Sequence, residues 1–291
     1  MLERLSDVQG RMGTNLEAVA PSSDSPFYDI YQHVFDGSAK RIRPMFVYMT
    51  GEIAGIDPDQ LDEYAVVKEM LHTASLMEDD WQDGSPRRRG KPAAHVQFGE
   101  HLTILSSIAI VIGANERLAG IDAKFELGGR LSTYVNRAFG KDGMSLGQEK
   151  DRELTGQDPS AVSIETLDEI AHLKTGLAIE TSIVGAAMIG HLTPLQIIRL
   201  IDYSYHCGIA FQIRDDLLDA APATDFPDKT PHRDEANSKP NYVSVLGSTE
   251  AAEAKLHHHR EAAKAVLSHL SPDLNVTGFR QMIKYVAERD K

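Results

Sequence analysis

Apolar positions along this chain recur at helical spacing. Val66, Met70, Ala74 and Met77 follow one another at intervals of four, four and three residues, which keeps them on one face of a helix with about 3.6 residues per turn. Ile197, Leu200 and Ile201 begin a second stripe that continues to Leu218. The segment AAEAKLHHHREAAKAVLSHL, 251–270, is built mostly from strong helix formers. Strand signals are almost absent: no Asn-Gly or Asp-Gly turn separates alternating apolar runs.

Breaks in the pattern fall at 21–26, 84–92, 140–147, 156–160 and 220–240. The last holds Pro222, Pro227, Pro231 and Pro240 among charges. A stretch of that length with little helical pattern is expected to be a functional lid. No solenoid period and no composition shift divides the chain. The expected fold is therefore all-α, a single large helical domain over 1–291. The longest apolar run, Leu102 to Ala114, is interrupted by Ser106, Ser107 and Gly113 and reads as too short to span a bilayer, which takes about 20 residues.

Composition narrows the function. Asp and Glu outnumber Lys and Arg by 43 to 30, a formal charge of −13. That argues against nucleic acid as the main partner, since phosphate backbones need a basic footprint. An acidic chain can still hold a polyanion if cations lie between. The single cysteine, Cys207, cannot form an internal disulfide, and no apolar segment of signal-peptide length opens the chain; both fit a cytoplasmic protein. Consecutive helix residues point about 100° apart, so His257, His258 and His259 cannot converge on one metal and read as a solvated face.

One motif occurs twice. Asp79-Asp80-x-x-Asp83 ends the first stripe, and Asp215-Asp216-x-x-Asp219 ends the second. In each, the outer aspartates are four apart and share a helix face, where like charges destabilise the helix by a few tenths of a kcal/mol. A hard divalent cation would compensate; Mg²⁺ takes a few carboxylates and completes its shell with water and phosphate. A single copy is as well explained by chance on an acidic surface. The second copy is harder to dismiss, because Ile209, Phe211, Ile213, Leu217 and Leu218 surround it, and carboxylates in apolar surroundings are paired or metal-bound. Basic residues suggest the ligand. Lys40, Arg41 and Arg43 cluster in AKRIRP, Arg88 and Arg89 follow the first acidic motif, Lys174 opens a neutral small-residue helix, and Lys229 and Lys239 lie in the expected lid. Such cations with Mg²⁺ make a diphosphate clamp.

The ordered set AKRIRP, EMLHTASLMEDDWQDGSPRRRGKP, GQEKD, KTG, FQIRDDLLD, KPNYVSVLG and YVAERDK resembles the trans-isoprenyl diphosphate synthases, or polyprenyl synthetases, over roughly residues 36–291. The resemblance implies a helical bundle of the isoprenoid synthase type, with a central cavity between two aspartate-rich helices. It implies about three Mg²⁺ per active site, with Mn²⁺ as a substitute, bridging the aspartates and an allylic diphosphate (dimethylallyl, geranyl or farnesyl). Diphosphate departs, the double bond of isopentenyl diphosphate attacks the allylic cation, and a proton is lost. By motif position, Asp79, Asp83 and Asp215 are the principal metal ligands. Asp80, Asp216 and Asp219 are further ligands or support them. Arg88, Lys174, Lys229 and Lys239 hold the allylic diphosphate, while Lys40, Arg43, His72 and Arg89 hold isopentenyl diphosphate. Gln148 and Asp151 match the family's Gln-x-x-Asp, and Thr175 and Gln212 lie near the cation. In this scheme the acids and arginines of LMEDDWQDGSPRRRG do not neutralise each other directly.

The chain departs from the family in three places. Ser38-Ala39 stands for the usual Gly-Gly, Glu78 replaces a His or apolar residue, and Ser106-Ser107 lies where Gly-Asp is common. Small residues at Ala74 and Ser75, one turn below Asp79, point to a product of C20 or longer, with Leu71 as an alternative floor. A homodimer is implied, with Leu102 to Leu118 as a candidate interface, and stable membrane insertion is not. Alternatives are a C15 farnesyl diphosphate synthase, a non-catalytic subunit of a heteromeric synthase, and a class I terpene cyclase.

Overall fold

The computed structural model describes residues 1–37, 39–221, 239–270 and 273–289. Nearly all ordered backbone in them is helical. The described chain divides into two compact units, Met1–Thr133 with Met188–Gly190, and Tyr134–Ala187 with His191–Lys291.

The first unit contains α1 (Leu2–Glu17), α2 (Tyr28–Val34), α3 (Ile42–Ala54), α4 (Pro58–Gln82), α5 (Ala94–Phe98) and α6 (Glu100–Lys124). In α1 the buried residues Leu5, Val8, Met12 and Leu16 fall at helical spacing. The centre of this unit is α4. Asp57 caps it by accepting the Asp59 N–H, and Pro58 sits in the first turn, where a missing N–H costs nothing. The helix buries Leu61, Tyr64, Val66, Val67, Met70, Leu71 and Met77, each worth roughly 1.5–3 kcal/mol. This burial holds the acidic end of α4 in place. Gly51 on α3 lets Leu61 pack closely, since a Cβ there would lie 2.3 Å from Leu61 Cδ1 and displace that side chain.

Against α4 runs α6, whose 25 residues extend well past the apolar run read from sequence. By length and composition it could cross a membrane, but one face packs on α4. Its other face leaves Ile104, Leu105, Ile108 and Ile112 exposed. Between β1 (Arg87–Arg88) and β2 (Lys91–Pro92) lies a minimal antiparallel hairpin that the sequence pattern did not reveal. Its turn residues, Arg89 and Gly90, both have positive φ (51° and 78°), as a two-residue primed turn needs. Arginine in the first position hides that signal.

The second unit holds the end of α7 (Arg130–Phe139), then α8 (Met144–Glu153), α9 (Ile164–Ala171), most of α10 (Leu177–Ile189), α11 (Pro194–Asp219), α12 (Tyr242–Leu246), α13 (Thr249–Ser268) and α14 (Thr277–Glu288). A full capping box, Thr193 with Gln196, starts α11 beside Pro194. Tyr203 on α11 stacks edge-on to Phe279 of α14 and donates to its carbonyl at 2.9 Å. His257 and His258 are exposed, but His259 is buried, its Nδ1 3.0 Å from His206 Nδ1 on α11. The expected solvated face therefore fails at His259, because α13 turns that residue toward α11.

Candidate active site

Two clusters carry the expected site residues, one in each unit. In the first, Asp79 and Asp83 close the last turn of α4. Asp79 is half-buried and Asp83 exposed. Asp80 lies about 100° round the helix and is buried. Arg88 on β1 grips it with two bonds from Nε, 2.9 and 3.1 Å, and stands 3.6 Å from Asp79. The acids and arginines of this stretch therefore do pair directly at one point, contrary to expectation. The short hairpin returns Arg88 over the helix end, where Asp80 is the carboxylate turned toward it. Asp80 is a positioning group for Arg88.

Behind the aspartates, Arg43 Nη1 donates to His72 Nε2 at 3.0 Å. Burial, then the guanidinium groups of Arg43, Arg89, Arg88 and Arg41, hold His72 well below the ordinary histidine range. It is the neutral acceptor that fixes Arg43. Half-buried Lys40 precedes Arg41, whose left-handed backbone (φ 54°) starts α3. Arg41, which the resemblance left without a role, is buried on Glu69 at 2.5 Å and on the Phe35 and Asp36 carbonyls at 2.7 and 2.8 Å. It ties α3 to α4. Ala39 is buried and its carbonyl accepts Gln9 Nε2 at 2.9 Å; Ser38 lies outside the described residues. Ala74 is buried and Leu71 is buried, while Ser75 is half-buried with its hydroxyl turned back to the His72 carbonyl at 2.8 Å.

In the second unit the chain leaves α9 through a π-helical turn, His172–Gly176, that carries Lys174 and Thr175. Such turns are rare and concentrate at functional sites. Two glycines let neighbouring backbones close on it. A Cβ at Gly208 of α11 would lie 2.5 Å from Gly176 Cα, and one at Gly147 of α8 would lie 2.7 Å from Lys174 N. Lys174 and Lys239 both reach Asp151 Oδ2, at 2.6 and 2.5 Å. Burial would push the Asp151 carboxyl up, but the two ammonium groups hold it below its ordinary value. Gln148 is half-buried one turn earlier on α8. Lys229 and the expected lid core lie outside the described residues.

A hydrogen-bond chain runs through the second aspartate motif. Thr175 donates to Gln212 at 3.3 Å, Gln212 to Asp216 at 2.9 Å, and the Tyr242 N–H to Asp216 at 2.9 Å. The Tyr242 hydroxyl donates to Asp168 at 2.7 Å, and Lys255 to the same carboxylate at 2.9 Å. Asp216 is thus turned inward and held, leaving Asp215 and Asp219 half-buried on the outer face. Asp215 pairs with Arg289 at 2.9 Å. Tyr242, Asp168 and Arg289 were not foreseen as site residues; Tyr242 and Arg289 do lie inside quoted motifs.

Carboxylate oxygens suit a hard cation. Among the described residues no three His, Cys, Asp or Glu side chains are gathered as a ready metal cage. The carboxylates available are instead the outer aspartates spaced i, i+4, a set that would fit Mg²⁺ keeping water and taking substrate oxygen for the rest of its shell.

An all-α chain with two aspartate-rich helix ends, each close to a set of cations, defines a class of helical diphosphate-handling enzymes. The chain belongs to the polyprenyl synthetase family, the trans-isoprenyl diphosphate synthases, whose profile matches residues 24–270. It is 34% identical to the farnesyl diphosphate synthase of Geobacillus stearothermophilus over 88% of this chain and 86% of that one. It is 30% identical to geranylgeranyl pyrophosphate synthase 12, chloroplastic, of Arabidopsis thaliana, over 86% and 71% respectively. Among solved structures, an FPP/GFPP synthase from Zymomonas mobilis superposes with a TM-score of 0.81 at 26% identity, covering 98% of this chain and 100% of that one.

Proposed function

We propose that this enzyme condenses isopentenyl diphosphate head-to-tail with an allylic diphosphate, giving a trans-prenyl diphosphate of C20 or longer, as one synthase domain. The family profile spans both compact units, which supports a single domain. The observation that carries the reading is the collection of Lys174 and Lys239 on one oxygen of Asp151. Two ammonium groups on one carboxylate leave a net positive charge, suited to a diphosphate.

Asp79, Asp83, Asp215 and Asp219 would hold Mg²⁺, about three ions in all, which when bound neutralises charge on the departing diphosphate. Arg88, set by Asp80, and Lys174, Lys229 and Lys239 hold the allylic diphosphate. Lys40, Arg43, His72 and Arg89 hold isopentenyl diphosphate, with neutral His72 fixing the Arg43 fork. Thr175 and Gln212 present oxygens toward the allylic cation, and Asp216, held by Gln212 and Tyr242, positions its neighbours. These groups orient two substrates and stabilise charge that develops as the bond breaks.

The exposed row Ile104, Leu105, Ile108 and Ile112 on α6 supports a homodimer, since covering such a row by a second copy removes apolar surface from water. The one cysteine, buried at Cys207, supports a cytoplasmic location. Asp79→Ala and Asp215→Ala are each expected to lower turnover by orders of magnitude. Near-wild-type rates in both would refute the assignment.

A further inference from the structure

Arg289, just past α14, is only 8% exposed. Its guanidinium lies 3.8 Å from the centroid of the Phe211 ring and donates to the Phe211 carbonyl at 3.2 Å. Its backbone is fixed from both sides: the N–H donates to the Tyr285 carbonyl at 2.9 Å, and the carbonyl accepts Arg214 Nε at 2.8 Å. A buried guanidinium is costly, and among the described residues its Nε has no hydrogen-bond partner. The carboxylate it pairs with is Asp215, the first residue of the second aspartate motif.

We infer that Arg289 is a positioning residue that serves as the resident counter-charge of Asp215. It keeps that carboxylate aimed while no metal is bound, and its charge opposes a dication arriving alone. This rests on reading Asp215 as a metal ligand. Metal loading at the second motif is then tied to the diphosphate, whose own negative charge offsets the Arg289 cation. Binding order follows: cation and diphosphate enter this motif together.

Mn²⁺ titration followed by the EPR signal of the free ion tests this, in protein carrying Asp79→Asn and Asp83→Asn so that only the second motif remains. Without diphosphate, Arg289→Gln should bind Mn²⁺ about tenfold more tightly than the Arg289 protein, a coupling of ordinary size. Arg289→Lys should restore weak binding. The ratio should shrink as salt rises, which a purely structural role would not produce. Arg289→Met, an apolar replacement for the buried slot, serves where the Gln variant fails to fold. Equal or weaker Mn²⁺ binding in the folded neutral variants, with Asp215 still needed for turnover, overturns the inference and leaves the enzyme reading intact. Absence of Mn²⁺ binding in every variant, with inorganic diphosphate present, overturns both.

Discussion

Ser107 on α6 donates its hydroxyl to the Glu78 carboxylate on α4 at 2.6 Å. Both residues are departures from the family pattern, and the structure shows them to be partners. Glu78 is therefore directed toward α6. Removing Ser107 should cost about 1 kcal/mol, the usual net worth of such a bond. Ser107→Ala is expected to lower the thermal midpoint by a few degrees and leave turnover within a few-fold. A loss of turnover as large as that of Asp79→Ala would show Glu78 working in the reaction itself.

Asp151 gathers Lys174 and Lys239 onto a single oxygen. In Asp151→Asn the two ammonium groups lose the charge that holds them together. The expected result is a rise of about tenfold in KM for the allylic diphosphate, close to 1.4 kcal/mol, with a smaller change in kcat. Steady-state kinetics at saturating isopentenyl diphosphate decide it, and an unchanged KM would contradict the role. The carboxyl is held below its ordinary value of 3.8, so its stabilising contribution is present above that pH and is lost as pH falls below it.

Ala74 and Ser75 separate under the structure. Ala74 lies between Met70 and Glu78 on the row facing α6: a Cβ on Gly113 would sit 3.3 Å from Met70 Cε, and Glu78 meets Ser107. Phenylalanine at 74 would overfill that contact, at roughly 1–3 kcal/mol. Ser75 is half-buried on the side of Asp79. Ser75→Phe should shorten the product while the thermal midpoint stays near that of the parent, whereas Ala74→Phe should lower the midpoint. An unchanged product distribution from Ser75→Phe would remove it from the determinants of length.

His259 supplies a pH test of stability. Burial, then the charges of Lys255 and His206, push it down from 6.5 to about 4, with Asp168 acting the other way. The unfolded chain therefore binds the extra proton first as pH falls. Stability from this group is complete above pH 6.5 and is lost as pH drops toward 4. Thermal midpoints measured between pH 7 and 4 should fall less steeply in His259→Gln than in the parent; parallel curves would contradict the assignment.

Helices were legible because apolar spacing in Val66–Met77 and Ile197–Leu218 follows from burial of one face, and burial is written in residue type. The aspartate motifs were legible because like charges four apart on one helix face call for a counter-charge; that Arg88 and Arg289 supply part of it was not. What the pattern hid depends on contacts between elements. The Arg89-Gly90 turn carries no Asn or Asp to announce it, Asp80 differs from Asp79 only by which way α4 turns it, and His259 is buried only because α13 packs on α11. The π-helical turn at Lys174 depends on Gly147 and Gly208, distant in sequence, allowing close backbone approach.

Product analysis by mass spectrometry tests the proposed activity most directly. Purified protein would be incubated with Mg²⁺, isopentenyl diphosphate and, in turn, dimethylallyl, geranyl and farnesyl diphosphate. The predicted result is a trans-prenyl diphosphate lengthened by five-carbon units to C20 or beyond, with one diphosphate released per unit added. Recovery of every primer unchanged, or a hydrocarbon formed from a primer alone, would contradict it.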